Sequence, residues 1–130
     1  MQNKEPIFGL TPFIGAVNMP MVNTNRDGTG NIYTVVTAGA EGSRITQIVL
    51  KTWQTIGAGI VRLYISDGST SRLWREFLVA AVTPSATVKT WEQIISLTKE
   101  NALILKAGEL LTASRDVNEN VNVIAFGFHY

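Results

Sequence analysis

The sequence predicts an all-β fold, a jelly-roll-like antiparallel β-sandwich preceded by an extended N-terminal arm. Three observations predict it. From Asn31 onward, short runs of β-branched and aromatic residues are separated by Gly, Pro, Asn and Asp turn chemistry. Ile60 to Ser66 alternates, with Val61, Leu63 and Ile65 on one face and Arg62, Tyr64 and Ser66 on the other. At 130 residues, 45% hydrophobic and 16% charged, the chain has the size and composition of one domain around one core. Short antiparallel strands in such a chain must close into a barrel or stack as two sheets, because a lone twisted sheet leaves a face wet.

The elements follow in order. Ile32 to Ala38 reads as a strand, and Ser43 to Trp53 follows after an Ala-Gly-Ala-Glu-Gly turn. Asp67-Gly68 supplies the positive φ of a tight hairpin joining Ile60–Ser66 to Arg72–Val82. Pro84 interrupts the ladder, since it lacks the donor and fixes φ, before Lys89 to Thr98 resumes. Ala102–Leu105, Leu110–Arg115 and Val121–Phe128 complete about eight strands. Glu92 to Leu105 also permits a helix with Ile94, Ile95, Leu97 and Ala102 near one side, and strand is the reading adopted.

Residues 1–30 differ from the body at 31–130. Ile7, Phe8, Leu10, Phe13, Ile14 and Val17 follow no sustained helical or strand period among Gly, Pro, Asn and Thr, which reads as an extended arm. Apolar side chains on such a segment need a surface, either this chain's own sheet or a neighbouring subunit. Asn23 to Asn31 reads as a polar, Gly-containing hinge.

The composition narrows the chemistry. With 11 basic and 10 acidic side chains, no strong field draws in nucleic acid or an anionic membrane. The absence of cysteine excludes disulfides, thiolate metal sites and thiol nucleophiles. The N-terminus lacks a signal-peptide pattern and no run approaches a bilayer span, so a soluble, unprocessed protein is expected. His129, the single histidine, lies next to the last residue and reads as the end of the final strand, so neither a paired-histidine metal site nor a catalytic triad is expected. Gly57-Ala58-Gly59 precedes a strand and lacks a dinucleotide loop's third glycine, and Asp27-Gly28 and Asp67-Gly68 each offer one carboxylate where calcium takes several oxygens. These are turns. No catalytic residue, metal or cofactor is therefore expected. Trp74 and Glu76 are expected on one strand face with Leu73, Arg75 and Phe77 on the other, so neither face is purely apolar and one meets a partner or lies beneath arginine stems. Arg and aromatics favour interfaces, which makes Arg62, Tyr64, Trp74 and Arg75 the candidate oligomer contact.

Several strings resemble small β-sandwich head decoration, or cement, proteins of tailed bacteriophages. They are Thr37-Ala38-Gly39-Ala40-Glu41-Gly42-Ser43-Arg44-Ile45, the hairpin Gly59 to Gly68, Val82 to Thr87, Leu105 to Glu109, and Asn122-Val123-Ile124-Ala125. The resemblance covers roughly the last hundred residues and not the arm. It implies a non-enzymatic virion protein on the outer surface of the head, often a homotrimer, that staples neighbouring major capsid subunits, with no nucleic-acid or membrane partner. On that reading Ile7, Phe8, Leu10, Phe13 and Ile14 anchor the arm in capsid grooves or an adjacent protomer. The alternatives are a receptor- or carbohydrate-binding domain of a fibre or tail, whose aromatics stack on sugars, and a hydrolase, which the histidine and cysteine tally disfavours.

Overall fold

The computed structural model describes residues 11–98 and 100–130, and these form an all-β sandwich. Its strands are β1 (Thr11–Met19), β2 (Tyr33–Thr37), β3 (Ser43–Lys51), β4 (Gly59–Ser66), β5 (Ser71–Val79), β6 (Glu92–Ser96), β7 (Leu103–Leu105), β8 (Leu110–Asp116) and β9 (Val121–His129). One sheet has the order β1-β9-β3-β6, with β7 also on β3, and the other β2-β8-β4-β5. Every strand pair is antiparallel. The chain crosses repeatedly between sheets, the double Greek-key arrangement of a jelly roll. β6 pairs with Gln47–Lys51 and β7 with Ser43–Ile45, so the two short strands together fill one strand position beside β3. The segment with helical potential is thus strand, turn and strand, because Ile95, Leu97, Leu103 and Leu105 all point into the core.

The core lies between the sheets. Ile45, Ile48 and Leu50 from β3 and Val121, Val123 and Ala125 from β9 face Val61 and Leu63 from β4 and Leu111 and Ala113 from β8. Each fully buried Val, Leu or Ile side chain contributes about 1.5–3 kcal/mol of transfer free energy.

Two expectations change at the N-terminal end. Thr11–Met19 is a nine-residue strand paired along its length with β9, from Thr11↔His129 to Met19↔Val121. Of the two surfaces open to the arm, this stretch lies on the chain's own sheet, and the boundary expected near residue 30 falls inside the sandwich. The pattern gave no strand period because both faces are apolar: Phe13, Val17 and Met19 point inward while Pro12, Ile14 and Ala16 point outward. Gly15 lets β1 close on the opposite sheet, since a Cβ there would run into the Val35 carbonyl. Ile7, Phe8 and Leu10 lie outside the described residues.

The second change concerns the expected hinge, which is a fixed loop strapped across the outer face of the second sheet. Asn23 is buried; its Nδ2 donates to the carbonyls of Thr29 (2.8 Å) and Asn31 (3.1 Å), and its Oδ1 accepts from Asn25 N–H (2.9 Å). Gly28 and Gly30 carry the positive φ values of 87° and 88° that the loop's reversals require.

Candidate interaction face

The two outer faces of the sandwich are built differently. On the second sheet, β4 and β8 present Arg62, Tyr64, Thr112 and Ser114, a polar set that the strapped loop covers, while Leu73 (41% exposed) and Leu78 (80%) stand uncovered on the same face at the β5 edge. Arg62 Nη1 donates to the Asn23 carbonyl (3.3 Å) and the Tyr64 hydroxyl to the Asn25 carbonyl (3.1 Å). Arg62 Nε also meets Glu76 at 3.1 Å, and Arg26 Nε meets the same carboxylate oxygen at 2.9 Å. The hydrogen bonds from Arg26 and then Arg62 hold the Glu76 carboxyl below its ordinary pKa.

The oligomer contact expected of Arg62 and Tyr64 is therefore corrected. Both are buried inside the chain beneath its own loop, and their hydrogen bonds are satisfied there. A bulge on β5 also breaks the alternation expected for Trp74. Leu63 faces Arg75 and Tyr64 faces Leu73, which leaves Trp74 as the extra residue. Trp74 packs with Phe77 against the core, and exposed Arg75 lies over its ring with the guanidinium carbon 5.1 Å from the centroid. Of the four expected contact residues, only Arg75 stands on the surface.

On the first sheet the outer face is largely apolar, with polar residues among its rows, and nothing in the described chain covers it. The register aligns outward residues in rows across the strands. Ala16, Ile124, Val49 and Ile94 form one row, and Ile14, Phe126, Gln47 and Ser96 the next. Pro12, Phe128, Arg44 and Ile104 form the row at one end, and Asn18, Asn122, Lys51 and Glu92 that at the other. Ile14 is 68% exposed, Ile104 55%, Ile94 48% and Phe128 39%. A shallow groove runs between Ile14, Phe126 and Phe128, and a second beside Ala16 and Ile124. The charges sit at the margins, with Lys51 Nζ 3.7 Å from Glu92 at one end and Arg44 at the other. Arg44 Nε is buried without a hydrogen-bond partner among the described residues. Antiparallel sheets normally alternate apolar-in with polar-out, so an apolar outer face marks a contact surface.

Of the expected arm anchors, Ile14 stands on this face and Phe13 does not. Phe13 points inward and stacks on His129 with ring centroids 4.4 Å apart and planes 17° from parallel. His129 ends β9 and its Nδ1 lies 2.6 Å from Ser43 Oγ, which also accepts from the Gly39 N–H at 2.8 Å. This serine and histidine make no nucleophile centre: Ser43 is fully buried, out of a substrate's reach. Among the described residues no three His, Asp or Glu side chains converge to hold a metal ion. No helix there is long and apolar enough to cross a membrane.

Sequence reasoning passed over Val49, Ile94, Ile104, Ile124 and Phe126, although a signal was present. Ile94-Ile95, Leu103-Ile104-Leu105 and Val123-Ile124-Ala125-Phe126 are continuous apolar runs, the pattern of strands covered on both faces. One of those faces has no cover in the described chain.

No family model and no curated protein matches the sequence. Among solved structures, a chain of the acidic stable capsid structure of Helicobacter pylori bacteriophage KHP30 aligns at a TM-score of 0.58 and 12% identity, over 93% of this chain and 90% of that one. A pentameric capsid protein isolated from metagenomic phage sequences aligns at a TM-score of 0.44 and 15% identity, over 89% of this chain and 60% of that one. The first likeness, spanning nearly the whole of both chains, shows that the two share a fold.

Proposed function

We propose that this chain is a non-enzymatic virion structural protein, a decoration or cement protein that binds the outside of a tailed-phage head and links neighbouring major capsid subunits. One observation carries the assembly role: the polar residues on β4 and β8 are covered by the chain's own loop, while the largely apolar outer face of the first sheet is left open. Such an arrangement disfavours an isolated, freely diffusing domain and favours one that spends its working life against other protein. The capsid setting is supported by the fold shared with a chain of a phage capsid structure and by the sequence resemblance to decoration proteins. A binding reaction rather than a chemical one also suits the surface, since Ser43, the hydroxyl beside the single histidine, is sealed in the core.

The mechanism is mechanical. A protein that touches two capsid subunits at once turns the second contact into an intramolecular one, so modest individual contacts give a lasting link against pressure from within. Homo-oligomers multiply this effect, whether as the trimer the resemblance implies or as a pair. Residues 1–10, with Ile7, Phe8 and Leu10, are the proposed capsid anchor.

The test uses heads of the encoding phage made without this gene. Added protein is expected to co-sediment with them at a saturating, fixed copy number and to appear on the outer surface by cryo-electron microscopy. Deletion of residues 1–10 is expected to weaken that binding while circular dichroism stays unchanged. Truncation beyond Thr11 removes β1 and does not test the anchor. Failure to bind heads, together with specific binding on a glycan array, would replace the reading with a receptor-binding one.

A further inference from the structure

We propose that the outer face of the first sheet is self-complementary and pairs two copies of this chain about a two-fold axis, giving four stacked sheets. The pairing goes beyond the capsid reading and does not depend on it.

The rows of outward side chains set which pairing fits. A two-fold axis lying in the contact plane along the strand direction, between β9 and β3, sets β1 of one copy over β6 of the other and β9 over β3. Each row then meets the same row of its partner with the order reversed. In one central row Ile124 meets Val49 and Ala16 meets Ile94, apolar on apolar, and in the other Phe126 meets the Gln47 stem and Ile14 meets Ser96. At one end Arg44, whose Nε has no hydrogen-bond partner among the described residues, comes over the Phe128 ring. At the other, Glu92 meets Asn18 and Lys51 meets Asn122. No like charges meet. An axis perpendicular to the strands instead sets β3 on β3 in reverse and brings Arg44 over Lys51, two cations together. The charges thus select one of the two simple face-to-face pairings. Stacked sheets keep their strands within about 30° of each other, which the chosen axis satisfies.

The size of the face is consistent with a reversible pair. Four strands about 4.8 Å apart and four rows about 7 Å apart give a plan area of roughly 540 Å². That is about two-thirds of the area per partner of a standard interface. A reversible rather than a permanent dimer is expected.

Sedimentation equilibrium across micromolar to millimolar concentration is expected to show a reversible shift toward twice the 14.2 kDa of the chain. Ile14→Lys with Ile94→Lys, both at exposed positions, is expected to raise the dissociation constant at least tenfold with an unchanged circular-dichroism spectrum. The absence of native cysteine permits a geometric test that does not depend on stability. Ala16→Cys and Ile94→Cys chains, mixed, are expected to cross-link through a short bis-maleimide, and neither chain to do so alone. A monomer at every concentration, an oligomer unaffected by the double lysine variant, or cross-linking of either single variant as readily as the mixture overturns the pairing. A chain that stays monomeric yet decorates heads overturns the pairing and leaves the capsid reading standing.

Discussion

Arg115→Met tests how the N-terminal strand is tied to the rest of the sandwich. Arg115 on β8 is buried, and its partners are backbone carbonyls. Its Nε donates to Met19 at 2.6 Å, and its Nη1 and Nη2 donate to Val117 and Pro20. Its own carbonyl accepts from the Asn23 N–H at 2.7 Å, so one residue fastens the end of β1 and the start of the covering loop. Methionine fills much of the space and leaves the carbonyls without a donor. Met19 and Val117 are buried, and each orphaned acceptor costs about 1–3 kcal/mol, whereas water reaches exposed Pro20. Relief of the guanidinium's own desolvation offsets part of that loss, leaving a net cost of about 2–3 kcal/mol. For a domain of this size the melting temperature then falls by about 10 °C. Urea denaturation followed by tryptophan fluorescence is the assay, with a lower midpoint and an unchanged slope expected. A loss below about 0.5 kcal/mol would show that the carbonyls find other donors and that Arg115 is not the tie.

Two other predictions concern local geometry and charge. Gly15→Ala places a Cβ against the Val35 carbonyl, a backbone group unable to swing aside, and is expected to destabilise by about 1–3 kcal/mol in the same urea assay; a neutral effect would mean that β1 and β2 sit farther apart than described. Asp67 Oδ1 accepts hydrogen bonds from Thr70 N–H, Ser69 N–H and the Ser69 hydroxyl, which lowers its pKa from 3.8 to about 2. Because the folded value is depressed, the turn's contribution to stability is present above the unfolded pKa and is lost as pH falls from about 4 through about 2. Carboxyl NMR titration is expected to place the midpoint near 2, and a midpoint at 3.8 would show that these hydrogen bonds do not hold in solution.

The parts legible in the sequence were the runs of β-branched and aromatic residues bounded by turn residues, and the turns where a glycine is forced. The Asp67-Gly68 turn joins paired β4 and β5, with Gly68 at φ 99°, although the ladder resumes only at Ser66↔Ser71. Eight strand positions from Ile32 onward fell within a few residues of those observed. β1 was not legible as a strand because alternation requires a polar outer face, and Ile14 and Ala16 stand where polar residues were sought. The same apolar outer face conceals and constitutes the candidate site. Arg62 and Tyr64 failed as contact residues for the opposite reason. Their polar groups look like surface chemistry in a strand pattern, and only the path of residues 20–31 over them reveals that they are buried. Trp74 was misplaced by a bulge, a one-residue event with no local sequence mark.

The most direct test of the account is the binding of purified chain to heads of the encoding phage that lack it. Saturation at a copy number fixed by the shell's symmetry, with density on the outer surface and no change in any small-molecule substrate, is the predicted result. Heads that take up none of the protein at millimolar concentration, or turnover of a substrate by the isolated chain, would contradict it.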